Sequence, residues 1–107
     1  MAVAVTFVAG GMTREHYDQA SRELNREPHP GLILHTVGVT GEGIRVFDIW
    51  NSAEEFQAFA QGMLGPGLAA MGITDQPEVT VYDLYNVWFP APAELSAMAG
   101  PGSPADR

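Results

Sequence analysis

Apolar residues along this chain switch between two periods, and the switches mark its elements. Residues 2–8 alternate, with Val3, Val5 and Phe7 on one side, which predicts a first strand ended by Gly10 and Gly11. Thr13 is placed to cap a helix over Arg14–Asn25, with Met12 positioned to staple onto Tyr17. The apolar stripe of that helix is Tyr17, Ala20 and Leu24, so its other face meets water. Glu27, Pro28, Pro30 and Gly31 break it. Period two then returns in Leu32–Val39 and Ile44–Trp50, on either side of Thr40, Gly41, Glu42 and Gly43. This is a hairpin signal, because glycine supplies the positive φ that tight turns need. Pairing Val39 with Ile44 fixes the register: Val37 faces Val46, His35 faces Asp48, and Ile33 faces Trp50. A two-residue loop at Gly41-Glu42 gives the same alignment.

Ser52 and Glu55 form a capping box ahead of Phe56, Phe59, Ala60 and Met63, which recur at helical spacing. Gly65, Pro66 and Gly67 interrupt that helix, Pro66 opens a short turn through Leu68–Met71, and Gly72 closes it. Asp75, Gln76 and Pro77 read as a loop. Val79–Trp88 reads as a fourth strand with aromatic and β-branched residues on both faces. Beyond Pro90 the chain is rich in Pro, Ala and Gly, a composition typical of disorder, with one helical turn expected near Glu94–Ala99.

The order β-α-β-β-α-β predicts an α+β, ferredoxin-like protomer: a four-stranded antiparallel sheet with both helices on one face. Residues 1–89 form a single domain and residues 90–107 a C-terminal tail. Two helices cover one sheet face only, yet both faces of the central hairpin are apolar. Ile33, Val37, Val39, Val46 and Trp50 lie on one, and Leu34, Phe47 and Ile49 on the other. A sheet apolar on both sides calls for a second sheet, so a homodimer packed sheet to sheet is expected.

Composition narrows the function classes. The 107 residues are 46% apolar and 17% charged, which favours an oligomer or a ligand-lined cavity. A net charge of −8 is repelled by phosphate backbones and anionic membranes, so neither nucleic acid nor a membrane surface is an expected partner. Without cysteine, disulfides, thiolate metal sites and cysteine nucleophiles are excluded. The short β-branched start lacks a basic region and reads as a strand rather than a signal peptide, and no run reaches transmembrane length. A cytoplasmic location is the default expectation. The glycines between Gly62 and Gly67 lack the lysine and preceding strand of a phosphate-binding loop.

Several stretches together resemble the dimeric α+β barrel superfamily, and within it the antibiotic-biosynthesis-monooxygenase-like branch. They are Pro30-Gly31-Leu32 entering the second strand, residues 46–56 running from strand into helix, Gly65–Leu68 after that helix, and Tyr82–Asn86 in the last strand. The resemblance spans roughly residues 1–89. It implies a small, often cofactor-free protein that holds a ligand between sheet and helices; relatives include oxygenases of aromatic polyketides, cyclases and haem-degrading enzymes. The haem-degrading members carry an Asn on the first strand, a Trp within the second helix and a His on the short helix after it. This chain places Thr6 or Phe7, Phe59 and Met71 near those positions, and so departs from that set.

The sharpest chemical arrangement is His35 opposite Asp48. An aspartate beside an imidazole fixes its tautomer and raises its basicity, leaving one nitrogen to take a substrate proton. The alternative is a satisfied structural pair at the sheet or dimer seam. Trp50, Phe59, Tyr85 and Asn86 are candidate substrate-binding residues, against ordinary core packing for the aromatics. Tyr85 and Asn86 point to opposite faces, so at most one shares a pocket with His35. Arg45 falls on the face away from His35, while His16 and His29 are expected in solvent. The three histidines lack close spacing, which argues against a metal site, with His35, Asp48 and a third ligand as the open alternative; that no cofactor is needed is what the resemblance implies. The chain is therefore expected to act as a cofactor-independent enzyme or accessory protein on a small, apolar, aromatic or polyketide-like metabolite. Monooxygenase or cyclase chemistry would begin with proton abstraction by His35. The alternative is a non-catalytic dimer that binds a ligand or serves structure.

Overall fold

The computed structural model describes residues 1–24, 29–73 and 77–99, and of Glu23 and Leu24 the backbone only. Four strands, β1 (Val3–Gly10), β2 (Leu32–Thr40), β3 (Gly43–Trp50) and β4 (Glu78–Asp83), form one sheet in the order β2-β3-β1-β4. All three pairings are antiparallel. The helix α1 (Arg14–Leu24) joins β1 to β2. Between β3 and β4 the chain winds through α2 (Ala53–Phe59), a π-helical turn (Ala60–Leu64) and α3 (Gly65–Ala70). This is the ferredoxin-like α+β arrangement, with the helices on one sheet face.

That face holds the core. Val3, Val5, Phe7 and Ala9 of β1 and Ile44, Val46 and Trp50 of β3 are buried together with Phe56 of α2 and Leu68 of α3. Tyr17 and Ala20 of α1 pack against the same cluster, and Met12 is buried in it. Leu24, the third residue of the expected stripe, lies outside the described side chains.

The hairpin register is as expected for three pairs: Val39 with Ile44, Val37 with Val46, and His35 with Asp48. The fourth differs. A bulge between Leu32 and Leu34 makes Leu32, not Ile33, the partner of Trp50. An extra residue on one strand flips the faces of those before it, so Leu32 joins the helix-covered side while Ile33 stays 57% exposed. Of the turn's two glycines, Gly43 carries the positive φ (141°), beside the Gly41-Glu42 loop. A Cβ there would run into the Ala9 carbonyl of the neighbouring strand, so both conformation and space require glycine.

The N-termini of α1 and α2 form from local chemistry. The Thr13 hydroxyl accepts from the His16 backbone N–H, and the His16 ring accepts from the Thr13 N–H, each at 3.2 Å. His16 is thus a reciprocal cap rather than merely solvated. Ser52 accepts from the Glu55 N–H at 3.2 Å, while its hydroxyl donates to the Glu55 carboxylate at 3.0 Å. The expected break at residues 65–67 is absent. Gly65 is helical and its N–H reaches back five residues to Ala60. The wide turn delivers Pro66 to the start of α3, where a missing N–H is tolerated. The extra residue also rotates the apolar stripe. Leu64 packs on the core, whereas Met63, expected to, is 38% exposed. Gly72 (φ 76°) ends α3, with the Ile73 N–H donating to the Leu68 carbonyl.

The fourth strand is shorter than expected. Pairing with β1 reaches Asp83 opposite Val3, and the Leu84 N–H donates to the Ala2 carbonyl. Residues 84–89 lie outside the sheet, with Tyr85 94% and Trp88 83% exposed. A short helix α4 (Pro92–Ala97) follows, where a helical turn was expected.

Candidate functional site

The β2–β3 register delivers His35 and Asp48 to the helix-covered face, and α1 lays Tyr17 over them. The three side chains, with Trp50, form one continuous hydrogen-bonded line. The Tyr17 hydroxyl lies 2.8 Å from His35 Nε2, His35 Nδ1 lies 2.7 Å from Asp48 Oδ1, and Trp50 Nε1 donates to Asp48 Oδ2 at 3.2 Å. An ionised carboxylate only accepts, so in the neutral imidazole Nδ1 carries the proton and Nε2 is left to accept from the tyrosine. Polarity runs one way along the line, from phenol through imidazole to carboxylate.

Burial grades along the same line. Asp48 is 3% exposed and Trp50 1%, whereas the His35 side chain is 32% exposed. The carboxylate is thus anchored in the core by the indole N–H, and the imidazole bridges from it toward α1. The rings of Tyr17 and His35 are nearly parallel, 21° apart with centroids at 6.0 Å. Burial raises the Tyr17 pKa above its usual 10.0, and the negative charges of Asp48 and Asp18 add to this, while a hydrogen bond with Ser21 acts against them.

All these groups border a cavity between sheet and helices, whose volume is about 70 Å³. Tyr17, Ser21, His29, His35 and Asp48 make its polar lining; the rest is apolar, including Phe7, Ile44, Phe59, Leu64 and Met71. The volume is under half of the roughly 150 Å³ in which an apolar protein cavity holds benzene. A ring enters only as the wall gives, and Met12 and Met71 are the flexible side chains that can shift.

Of the residues expected at the site, the structure brings together His35, Asp48, Trp50 and Phe59. Trp50 and Phe59 lie 5.4 Å apart between ring centroids. Tyr85 and Asn86 stand apart. Both follow the last residue of β4, both are exposed, and neither lines the cavity, because β4 ends before reaching them. His29, expected in solvent, lines the cavity and packs edge-on against Phe59 at 4.8 Å. Phe59 and Met71 give this wall hydrocarbon and a thioether sulfur. Among the described residues no three His, Asp or Glu side chains gather into a metal site.

Sequence reasoning missed Tyr17 as a site residue. It was visible only as one of three stripe positions on α1, though it alone of the three carries a hydroxyl. Arg45 pairs in register with Val8 and Gly38 on the open sheet face, away from the cavity.

No protein-family model matches the chain, and no curated protein matches it in sequence. Solved structures do match in shape. A protein of unknown function from Nitrosomonas europaea, NE2512, superimposes with a TM-score of 0.61 at 16% identity, over 84% of this chain and 94% of that one. The monooxygenase ActVA-Orf6 of Streptomyces coelicolor, solved with nanaomycin D, gives 0.57 at 17% identity, over 84% and 92%. SnoaB of Streptomyces nogalater, a cofactor-independent oxygenase, gives 0.55 at 15% identity, over 80% and 94%. The chain therefore has the ferredoxin-like fold shared by structures of the antibiotic-biosynthesis-monooxygenase type.

Proposed function

We propose that this protein is a cofactor-independent enzyme, of monooxygenase or cyclase type, acting on a small apolar aromatic or polyketide-like metabolite held between sheet and helices. The observation that carries this reading is the His35–Asp48 pair at 2.7 Å, bordering an otherwise apolar cavity. His35 is the proton acceptor, Asp48 holds its tautomer and balances the imidazolium, and Trp50 and Phe59 form the aromatic wall. Removing a proton from a phenol or an enolisable carbon leaves an electron-rich anion. That anion attacks dioxygen in an oxygenase and an internal carbonyl in a cyclase. A positioned base contributes typically 10²–10⁴-fold to such a step. The cofactor-independent oxygenase and the nanaomycin-bound monooxygenase of the same fold lend support by analogy only.

The test is turnover and binding against a phenol and polyketide panel, with His35→Ala in parallel. Binding retained with turnover lost by about 10²–10⁴-fold supports a base; unchanged turnover refutes it. One observation favours a second reading. Both His35 nitrogens are hydrogen-bonded within the chain, as in a structural pair, which suits a non-catalytic ligand-binding protein. That reading is favoured if ligands bind and His35→Ala alters no chemistry.

A homodimer is part of the proposal. The sheet face away from the helices carries Val8 and Phe47 among Thr6, Thr36, Arg45, Glu78 and Thr80, and the apolar side chains of Tyr85, Trp88 and Phe89 are exposed beyond residue 84. Apolar surface of this kind is what association buries. Sedimentation at micromolar concentration is expected to give twice the monomer mass; a monomer refutes the pairing.

A further inference from the structure

The inference concerns the atom that a ligand meets first, and it rests on His35 being a proton acceptor. Direct access to His35 is taken. Its Nδ1 is bonded to Asp48, and its Nε2 accepts from the Tyr17 hydroxyl at 2.8 Å. A ligand proton therefore either displaces Tyr17 or passes through it. Tyr17 borders the cavity itself, and its oxygen retains acceptor capacity while its proton is engaged with Nε2.

We propose that Tyr17 is the ligand-facing member of a proton relay, and that the cavity takes neutral, apolar molecules bearing one acidic hydroxyl or enolisable carbonyl. In the relay the ligand's proton bonds to Tyr17 Oη as the phenol's own proton moves to His35 Nε2. The O–H or C–H bond of the ligand breaks and its electron pair stays on the ligand. Tyr17 ends neutral, donating to the new anion; His35 ends as an imidazolium beside Asp48. Nothing is oxidised or reduced.

Charge in the lining argues for the ligand class. The chain contains no lysine, and among the described residues no arginine lines the cavity; Arg45 lies on the other sheet face. The titratable groups at the site are Tyr17, His29, His35 and Asp48, with Asp18 near Tyr17. A carboxylate or phosphate would enter an apolar cavity beside a carboxylate with no fixed cation, a costly placement. A neutral molecule enters without that cost, and the relay creates its charge only where Tyr17 and the imidazolium receive it. The geometry also separates Tyr17 from a neutral bystander. A phenol held only by packing would not need its oxygen on the one nitrogen of His35 that can accept.

The probe is 4-nitrophenol, whose phenolate absorbs visible light and whose phenol does not. Bound to the wild-type protein it is expected to ionise about one pKa unit lower than free in solution, roughly a tenfold gain in phenolate at fixed pH. In Tyr17→Phe, binding is expected to persist while that gain is lost; in His35→Gln it is lost as well. Circular dichroism checks that each variant is folded, and tyrosine is exchanged for phenylalanine to keep the ring in the core. Should Tyr17→Phe keep the gain while His35→Gln loses it, the relay is wrong and His35 accepts directly. Should bound probe stay a phenol in the wild type, or fail to bind at all, the base reading itself falls.

Discussion

Asp48 offers a demanding test of the site's internal logic, because it is both the anchor of the relay and a charge 3% exposed on a central strand. Asp48→Ala removes the acceptor of two donors, His35 Nδ1–H at 2.7 Å and Trp50 Nε1–H at 3.2 Å. The imidazole is partly exposed and can turn to water. The indole is 1% exposed and cannot. Leaving one buried donor unsatisfied costs about 1–3 kcal/mol, and losing hydrogen bonds to a charged group adds a comparable amount. The net expectation is about 2–4 kcal/mol. In a domain of this size each kcal/mol moves Tm by roughly 4–8 °C, so a drop of at least about 8 °C is expected. Asp48→Asn should cost less, about 1–2 kcal/mol, because its carbonyl can still accept from Trp50 and its amide can donate to Nδ1. That switch reverses the His35 tautomer and turns Nε2 into a donor toward Tyr17. Urea unfolding followed by far-ultraviolet circular dichroism gives both values. An Asp48→Ala protein as stable as the wild type would refute the reasoning. The carboxylate would then be a tolerated buried charge and not the anchor of the line.

Other expectations are simpler. Gly43→Val forces a branched side chain to φ 141° and against the Ala9 carbonyl, and should cost about 1–3 kcal/mol or abolish folding, measured by thermal melting. Ser52→Ala removes the cap of α2 and should cost about 0.5–2 kcal/mol in the same assay. Alkaline difference spectra between the wild type and Tyr17→Phe should place the Tyr17 transition above pH 10.0, since burial and the nearby carboxylates disfavour its anion. The sign for stability follows. The unfolded chain loses this proton first, so the contribution of Tyr17 is intact below pH 10 and declines as pH rises through the folded-state value. A wild type less alkali-sensitive than the variant would contradict that.

How much of this was legible depends on how local each cause is. The central hairpin was, because β-branched runs and a two-residue loop set register within a few residues, and register alone places His35 opposite Asp48. The bulge at Ile33 was not, since both strand faces there are apolar and pattern cannot say which residue is extra. The end of β4 was hidden for a different reason. Val79–Trp88 has strand composition throughout, but pairing with β1 goes no further than Asp83 opposite Val3, and Tyr85 and Asn86 lie beyond it. Gly65, Pro66 and Gly67 read as a break, whereas a π-turn carries the helix past the proline at the expense of Met63's place in the core. Tyr17 depends on how α1 lies across β2, a tertiary fact with no local trace beyond a hydroxyl on an apolar stripe.

The most direct measurement of the central claim is the imidazole ¹⁵N spectrum of His35, recorded with and without bound 4-nitrophenol. Without ligand, Nδ1 is expected to carry the proton and Nε2 to show the shift of an accepting nitrogen. With the phenol bound, Nε2 is expected to move toward the protonated shift while the resonances of His16 stay in place. A phenol that binds in the cavity and leaves His35 Nε2 unchanged would contradict the assignment of this site as a proton acceptor.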